Sequence, residues 1–225
     1  MFSENLEYYI LLIPVLLISL TFHEFSHGYI AYRLGDNTAK EAGRLTLNPL
    51  KHLDPIGTLM MFVARIGWAK PVPVNPLFFR NRKMGMVLTS VAGPLSNLMM
   101  AFVVAFPLQI SVLTSYEAIN TGTGVAYYLF QFLLLLFYVN VNLAIFNLFP
   151  IPPLDGSKIL SAVLPSDIYF RFMRYEQYIG LAFLVLVTFF KTGFGEVIGF
   201  FTRPISESML WVAGRVVRLF FRGSI

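Results

Sequence analysis

The chain has 225 residues, of which 56% are hydrophobic and only 13% are charged, and it contains no cysteine. A soluble domain would carry about a quarter charged residues, so this composition excludes a soluble globular protein and predicts an all-α polytopic membrane protein. The lack of cysteine excludes disulfides and thiolate metal ligands, and the net charge of +5 does not indicate nucleic-acid binding, because the cations lie in loops between apolar segments.

Apolar segments long enough to cross a membrane follow one another along the chain. A spanning helix needs about 20 predominantly apolar residues. The predicted spans are residues 8–32, 84–113 and 123–149, followed by a shorter apolar segment at 177–190. Charged residues and a proline interrupt the C-terminal pattern. Residues 205–221 are predicted to form a basic amphipathic helix that either lies at the membrane interface or forms a last span.

The first predicted span carries the pattern HExxH, formed by His23, Glu24 and His27. Histidines at i and i+4 share one face of a helix, so both imidazoles can reach one zinc ion, and the glutamate beside them is placed to act as a general base. A charged group near the centre of a membrane helix costs about 2.5 kcal/mol or more. The pattern therefore predicts a functional metal site.

A catalytic zinc site needs a third protein ligand besides the two histidines. Asp155 is the candidate, in the segment NLFPIPPLDGSK after the third span, where prolines end the helix and Gly156 permits a tight turn. The first and third spans run in the same direction, so Asp155 is expected at the same side of the membrane as the histidines. From the residues alone, a turn-forming role explains Asp155 equally well. His52, in the basic loop, is better explained as an interfacial or loop-structuring histidine than as a ligand.

The loop between the first two spans contains an apolar run and then the segment GWAKPVPVNP. Pro71 and Pro73 are compatible with an edge strand but not with a central strand, and Val72 and Val74 alternate with them. Residues 58–75 are therefore predicted to form a partly membrane-dipping β-hairpin or short sheet.

The distribution of cations predicts the orientation of the protein. Residues 33–83 are rich in Lys and Arg, residues 114–122 contain none, and residues 158–174 contain three. Because cations concentrate in cytoplasmic loops, the N-terminus is expected outside and the long loop inside. The candidate metal site is then expected toward the cytoplasmic side of the cell (plasma or inner) membrane.

Three motifs in this order resemble those of the site-2 proteases, a family of intramembrane zinc metalloproteases. They are HEFSH at residues 23–27, AGPLSN at 92–97 and NLFPIPPLDG at 147–156, and the likeness covers about residues 15–160. The resemblance is to the compact prokaryotic type, and no inserted PDZ domain or appended CBS domain is expected. It implies one membrane-embedded domain over residues 1–225, with a three-helix catalytic core at about 8–160 and further C-terminal helices at about 161–225.

The resemblance also implies roles for individual residues. One Zn²⁺ per chain would be held by the two histidines of the HExxH motif and by Asp155, with Glu24 as the catalytic base. Asn147 would be a candidate for contact with the substrate or the transition state. Gly93 and Asn97 match a G-x-x-x-N pattern of the family, and Asn97 is explained equally well by a role at the site or by hydrogen bonding between packed helices.

The activity implied by the resemblance is hydrolysis of peptide bonds in or near transmembrane segments of other membrane proteins. The expected partners are membrane-protein substrates and the lipid bilayer, with no nucleic acid, and any regulation would come from a membrane partner, lipid or substrate processing. An edge strand containing Val72 and Val74 would bind an unwound substrate by strand addition. Two alternatives are a transition-metal transporter and a catalytically inactive membrane scaffold.

Overall fold

The computed structural model describes residues 2–57 and 69–221. Long helices form where the sequence is continuously apolar, because within a membrane every backbone N–H and C=O group must be satisfied inside its own segment. The helices are α1 (Phe2–Arg33), α2 (Thr38–Glu41), α3 (Arg82–Thr114), α4 (Tyr116–Thr121), α5 (Val125–Leu148), α6 (Asp155–Val163), α7 (Ser166–Arg174), α8 (Glu176–Phe189) and α9 (Lys191–Phe220). Short 3-10 helices lie at Pro49–Lys51 and Pro76–Phe78.

Within the described residues, three helices are long and apolar enough to cross a membrane: Leu6–Arg33 of α1, together with α3 and α5. The three long spans predicted from the sequence are therefore confirmed. Helices α8 and α9 would supply a fourth if they are counted together as one broken span. The C-terminal region differs from the prediction, because α9 is one helix that continues through Pro204, where the sequence pattern indicated an interruption.

Backbone contacts divide the chain into two compact units, and the first contains residues 1–19, 97–145 and 195–225. Its core contains three alanines among larger apolar side chains, and small residues of this kind allow membrane helices to approach one another closely. The buried core residues are Val15, Ala101, Val104, Ala105, Leu108, Leu136, Phe137, Val141 and Ala213.

A fully buried polar cluster lies in the same unit and is formed by Ser19, Asn97 and Asn140. The Asn97 amide nitrogen donates to the Ser19 carbonyl oxygen (3.2 Å) and to Asn140 Oδ1 (2.7 Å). The Asn140 amide nitrogen donates in turn to Ser19 Oγ (2.8 Å). Because these polar groups are buried, their mutual hydrogen bonds offset the loss of water. The cluster ties α3 and α5 to the helix that carries the HExxH motif.

The second unit contains residues 20–96 and 146–194, and therefore both the HExxH motif and Asp155. The loop between α1 and α3 is held in place by buried polar side chains. The fully buried Asp36 carboxylate accepts hydrogen bonds from the backbone N–H groups of Thr38 (2.9 Å) and Asn75 (2.7 Å). His52 is also buried, and its Nε2 lies 2.8 Å from the Thr46 carbonyl oxygen. This contact agrees with the loop-structuring role expected for His52.

The predicted β-hairpin or short sheet at residues 58–75 is wrong for the part that the structure describes. The described residues contain no β-strand, and the nearest feature is an isolated antiparallel bridge between Leu53 and Ala69. Residues 58–68 lie outside the described residues. Residues 70–75 belong to no helix or strand.

The prolines give the physical reason for this difference. Pro71 and Pro73 have no N–H groups, so residues 71–73 retain a single backbone donor, that of Val72. This donor goes to a side chain, since Val72 N–H bonds to Glu24 Oε2. With this donor used by Glu24, residues 71–73 have no N–H group left to pair with a neighbouring strand. Contact of Val72 and Val74 with a substrate stays a prediction.

Candidate metal centre

His23 and His27 lie one turn apart on α1, in its C-terminal half. Both residues are buried, with 4% and 7% exposure, and their Nε2 atoms are 3.0 Å apart. Helical spacing accounts for this closeness, since residues at i and i+4 project from the same face. The two imidazoles therefore present two nitrogen donors to one point.

Asp155 reaches this point from the first residue of α6. Its Oδ2 lies 3.1 Å from His23 Nε2 and 3.0 Å from His27 Nε2. The next residue must be glycine, because a Cβ at Gly156 would collide with the carbonyl oxygens of Leu148 and Phe149. The close approach of the start of α6 to the end of α5 therefore brings the carboxylate to the histidines.

The three donor atoms fit a zinc ion. Tetrahedral zinc with bonds of about 2.0–2.1 Å to nitrogen and oxygen holds neighbouring donors about 3.3 Å apart, close to the observed 3.0–3.1 Å. Two neutral imidazoles and one carboxylate are also a donor set that catalytic zinc uses, and a fourth position remains for water. The structure thus brings the three sequence-predicted ligands together.

Further contacts orient two of these ligands. His27 Nδ1 lies 2.6 Å from the Thr89 carbonyl oxygen, which can only accept, so Nδ1 donates and Nε2 keeps its lone pair for a metal. Lys158 Nζ lies 3.4 Å from Asp155 Oδ1, the oxygen that faces away from the imidazoles. Burial alone would raise the pKa of the Asp155 carboxyl, but the adjacent His23 and His27 side chains and the charge of Lys158 hold that pKa well below its usual range. Asp155 is therefore ionised, as a ligand must be.

Gly93 of α3 packs directly against the two imidazoles. A Cβ at this position would lie 2.6 Å from His27 Cε1 and 2.7 Å from His23 Cε1, and it would also collide with His27 Nε2. The AGPLSN segment therefore supplies the close helix approach that the sequence indicated, and it does so at the metal centre itself.

Replacing Gly93 by Ala is expected to lower the zinc affinity of the protein by at least about 10-fold, because the new methyl group must displace an imidazole from its position. Zinc content after dialysis against graded chelator would measure this. Gly195→Ala is the matched control, since Gly195 also lies in a long helix and a Cβ there would meet nothing within 4 Å. Equal zinc retention by the two variants would contradict the prediction.

Glu24 is positioned beside the ligands by a backbone donor. The residue is 9% exposed, and its Oε2 accepts a hydrogen bond of 2.8 Å from the N–H of Val72. This bond fixes one carboxylate oxygen and leaves Oε1 for other partners. The arrangement has the elements of a hydrolytic site, a metal position with a carboxylate next to it.

A cavity of about 300 Å³ contains the two histidines, Glu24 and Asp155. Three of the four residues predicted for substrate or transition-state contact also line it, namely Asn147, Val72 and Val74. Asn97 is not among the lining residues, and its amide is used in the cluster with Ser19 and Asn140.

Sequence reasoning did not identify Thr89 or Lys158. A carbonyl acceptor such as that of Thr89 leaves no sequence signal, whereas Lys158 had one, since residue i+3 from Asp155 in a helix is its neighbour.

Comparison with known proteins places these features in a family. The model of Peptidase family M50 matches residues 109–187. The chain is 41% identical over 217 residues to "Putative zinc metalloprotease YwhC" of Bacillus subtilis, a match that covers 93% of this chain and 90% of the relative.

Two further relatives share the name "Putative zinc metalloprotease Rip2". The chain is 29% identical over 225 residues to that of Mycobacterium tuberculosis, covering 95% of this chain and 81% of the relative, and 33% identical over 165 residues to that of Mycolicibacterium smegmatis, covering 71% and 59%. No solved structure matches the chain. Because its likeness to the Bacillus subtilis protein extends over nine-tenths of that relative, the chain belongs to peptidase family M50.

Proposed function

We propose that this protein is an intramembrane zinc metalloprotease that hydrolyses peptide bonds in or near transmembrane segments of other membrane proteins. One observation carries the proposal: Nε2 of His23, Nε2 of His27 and Oδ2 of Asp155 converge within 3.1 Å of one another beside Glu24. Two of these ligands and Glu24 lie on a helix that is apolar enough to span a membrane. Membership of the family and the names of its relatives support the same activity.

The residues of the cavity would divide the chemistry between them. His23, His27 and Asp155 would hold one zinc ion, which when bound supplies polarisation of the scissile carbonyl and acidification of a water molecule. Glu24, whose Oε2 is fixed by Val72, would accept the proton of the attacking water at Oε1 and deliver it to the leaving amine. The Asn147 amide, in the wall of the same cavity, is a candidate donor to the developing oxyanion.

The size of the cavity and its membrane position bear on the substrate. A volume of about 300 Å³ accommodates a short extended segment of peptide but not a helix, whose diameter with side chains is about 10–12 Å. A substrate helix would therefore have to unwind locally before its carbonyl reaches the site. The cation distribution supports a site toward the cytoplasmic side of the plasma membrane, with the N-terminus outside.

The proposal is tested with the purified full chain in proteoliposomes, using a co-reconstituted model transmembrane substrate. We expect about one zinc per chain, loss of cleavage after the metal is removed with a chelator, and recovery when zinc is returned, because the bound ion is required for hydrolysis. Metal analysis and gel separation of the products measure these results. Cleavage that persists in metal-free protein would contradict the proposal, and zinc flux across the vesicle membrane without cleavage would favour a transporter.

A further inference from the structure

We propose that Arg44 is a positioning residue for Glu24, acting through the backbone of residues 70–72. The inference rests on the proposed function, in which Glu24 is the general base. It assigns a role to a residue that lies 20 positions from Glu24 in the sequence and does not line the cavity.

Arg44 is an unusual buried cation. It is 8% exposed, and no carboxylate among the described residues lies within ion-pairing distance of it. Its Nη2 donates to the Lys70 carbonyl oxygen at 2.5 Å and lies 3.4 Å from that of Pro71. Burying a guanidinium costs free energy unless its donors are well used. The hydrogen bonds that the Arg44 guanidinium makes are with the backbone carbonyl oxygens of Lys70 and Pro71.

The backbone held by Arg44 leads directly to Glu24. The peptide that carries the Pro71 carbonyl also carries the N–H of Val72, and this N–H donates to Glu24 Oε2 at 2.8 Å. Pro71 and Pro73 contribute no N–H groups, so no neighbouring backbone donor can replace it. The orientation of this one peptide therefore sets the position of the carboxylate.

Other anchors hold both ends of the same segment. At its start, the Lys70 N–H donates to the His52 carbonyl oxygen at 2.9 Å. At its end, the Asn75 N–H donates to the buried Asp36 carboxylate at 2.7 Å. Between these anchors the prolines have no N–H group to donate. Arg44 holds this part of the backbone by donating to its carbonyl oxygens. Contacts with other parts of the chain therefore hold residues 70–75 on both sides of Val72, whose N–H donates to Glu24.

The test compares Arg44→Met, Arg44→Lys and the control Arg33→Met in the full zinc-loaded chain in proteoliposomes. Arg33 is exposed on α1 and contacts the side chain of Tyr29. Misplacing a catalytic group by about 1 Å can cost about 100-fold in rate, so Arg44→Met should lower kcat by about 10- to 100-fold. Zinc content should stay within about 2-fold of wild type, because Arg44 contacts the backbone of residues 70 and 71 and none of the three metal ligands. Arg44→Lys, which keeps a donor for the Lys70 carbonyl, should recover part of the loss.

A variant at Val72 tests the hydrogen bond between the Val72 N–H and Glu24 independently of Arg44. Val72→Pro removes the N–H that bonds to Glu24, whereas Val72→Ala keeps it, so the former should be at least about 10-fold slower than the latter. If Arg44 acts through this N–H, Arg44→Met should add little to Val72→Pro in the double variant. If the two kcat losses multiplied in the double variant, the proposal would be overturned. An unchanged kcat in Arg44→Met would also overturn it, as would a kcat loss that is matched by an equal loss of zinc. An inactive wild type would refute the proposed function and this inference together. A cleaving wild type with a normal Arg44→Met enzyme would refute the inference alone.

Discussion

Glu24→Gln is expected to retain zinc and to lose cleavage, with kcat reduced by about 10³-fold or more. General acid–base groups contribute about 10²- to 10⁴-fold to the rate. Glutamine has the same shape as glutamate, and its amide oxygen can still accept the hydrogen bond from the Val72 N–H. It cannot take a proton from water at neutral pH, so the variant removes the proton transfer and leaves the fold and the ligands intact.

Single-turnover cleavage of the model substrate and zinc content per chain check this expectation on the same preparation. Glu41→Gln is the matched control, since Glu41 is an exposed acid at the end of α2. Zinc at the wild-type level with lost cleavage identifies Glu24 as a group of the chemical step. Cleavage near the wild-type rate would exclude Glu24 as the base, and loss of zinc would show that its role is structural.

The part of the site that the sequence could predict is the part set by local geometry. Helical periodicity places His23 and His27 on one face and Glu24 beside them, and this requires only that the segment be helical. Asp155 lies 128 residues beyond His27 along the chain, and its approach depends on the packing of the end of α5 against the start of α6. No local pattern encodes that packing, which is why the residues alone left a turn role open and the family resemblance was needed.

The loop shows why an alternating pattern can mislead. Val72 and Val74 alternate with prolines, and such alternation is typical of an edge strand. A strand also requires a partner for its donors and acceptors, and here the Val72 N–H bonds to Glu24 instead. The same residues that looked like part of a sheet therefore form one wall of the cavity and fix the carboxylate. A side chain that is 48 positions away decides the conformation, and sequence alternation carries no information about it.

Asn97 illustrates a prediction with two readings. Its place in a G-x-x-x-N pattern was compatible with a site role or with hydrogen bonding between helices. In the structure its amide nitrogen bonds to Ser19 of α1 and Asn140 of α5, and the cavity is lined by Asn147. The glycine of the same pattern, Gly93, is the residue that contacts the imidazoles. Spacing alone could not assign the two roles, because both depend on which helix each residue faces.

Asp155→Ala is expected to lower zinc affinity by at least about 100-fold, more than the loss of a group that only orients a ligand. The variant removes one of three protein donors and the only negative charge among them, so the two neutral imidazoles would face a dication without compensation. Cleavage should fall in proportion to zinc occupancy and recover partly at high zinc concentration. Titration with a competing chelator gives the affinity, and the cleavage rate is measured at each zinc level.

The control for this variant is Asp167→Ala, an exposed acid in the first turn of α7. It changes the net charge equally, so any difference in zinc affinity between the two variants is due to position. Asp155 also lies within 3.1 Å of both imidazoles and within 3.4 Å of Lys158 Nζ, and the variant removes these contacts together with the metal ligand. Zinc removal from the wild type keeps the carboxylate in place, so it separates the loss of metal from the loss of that hydrogen-bonding group. If Asp155→Ala bound zinc as tightly as Asp167→Ala, the carboxylate would be a partner of the histidines only, and the hydrolytic site would have to draw its third ligand from elsewhere.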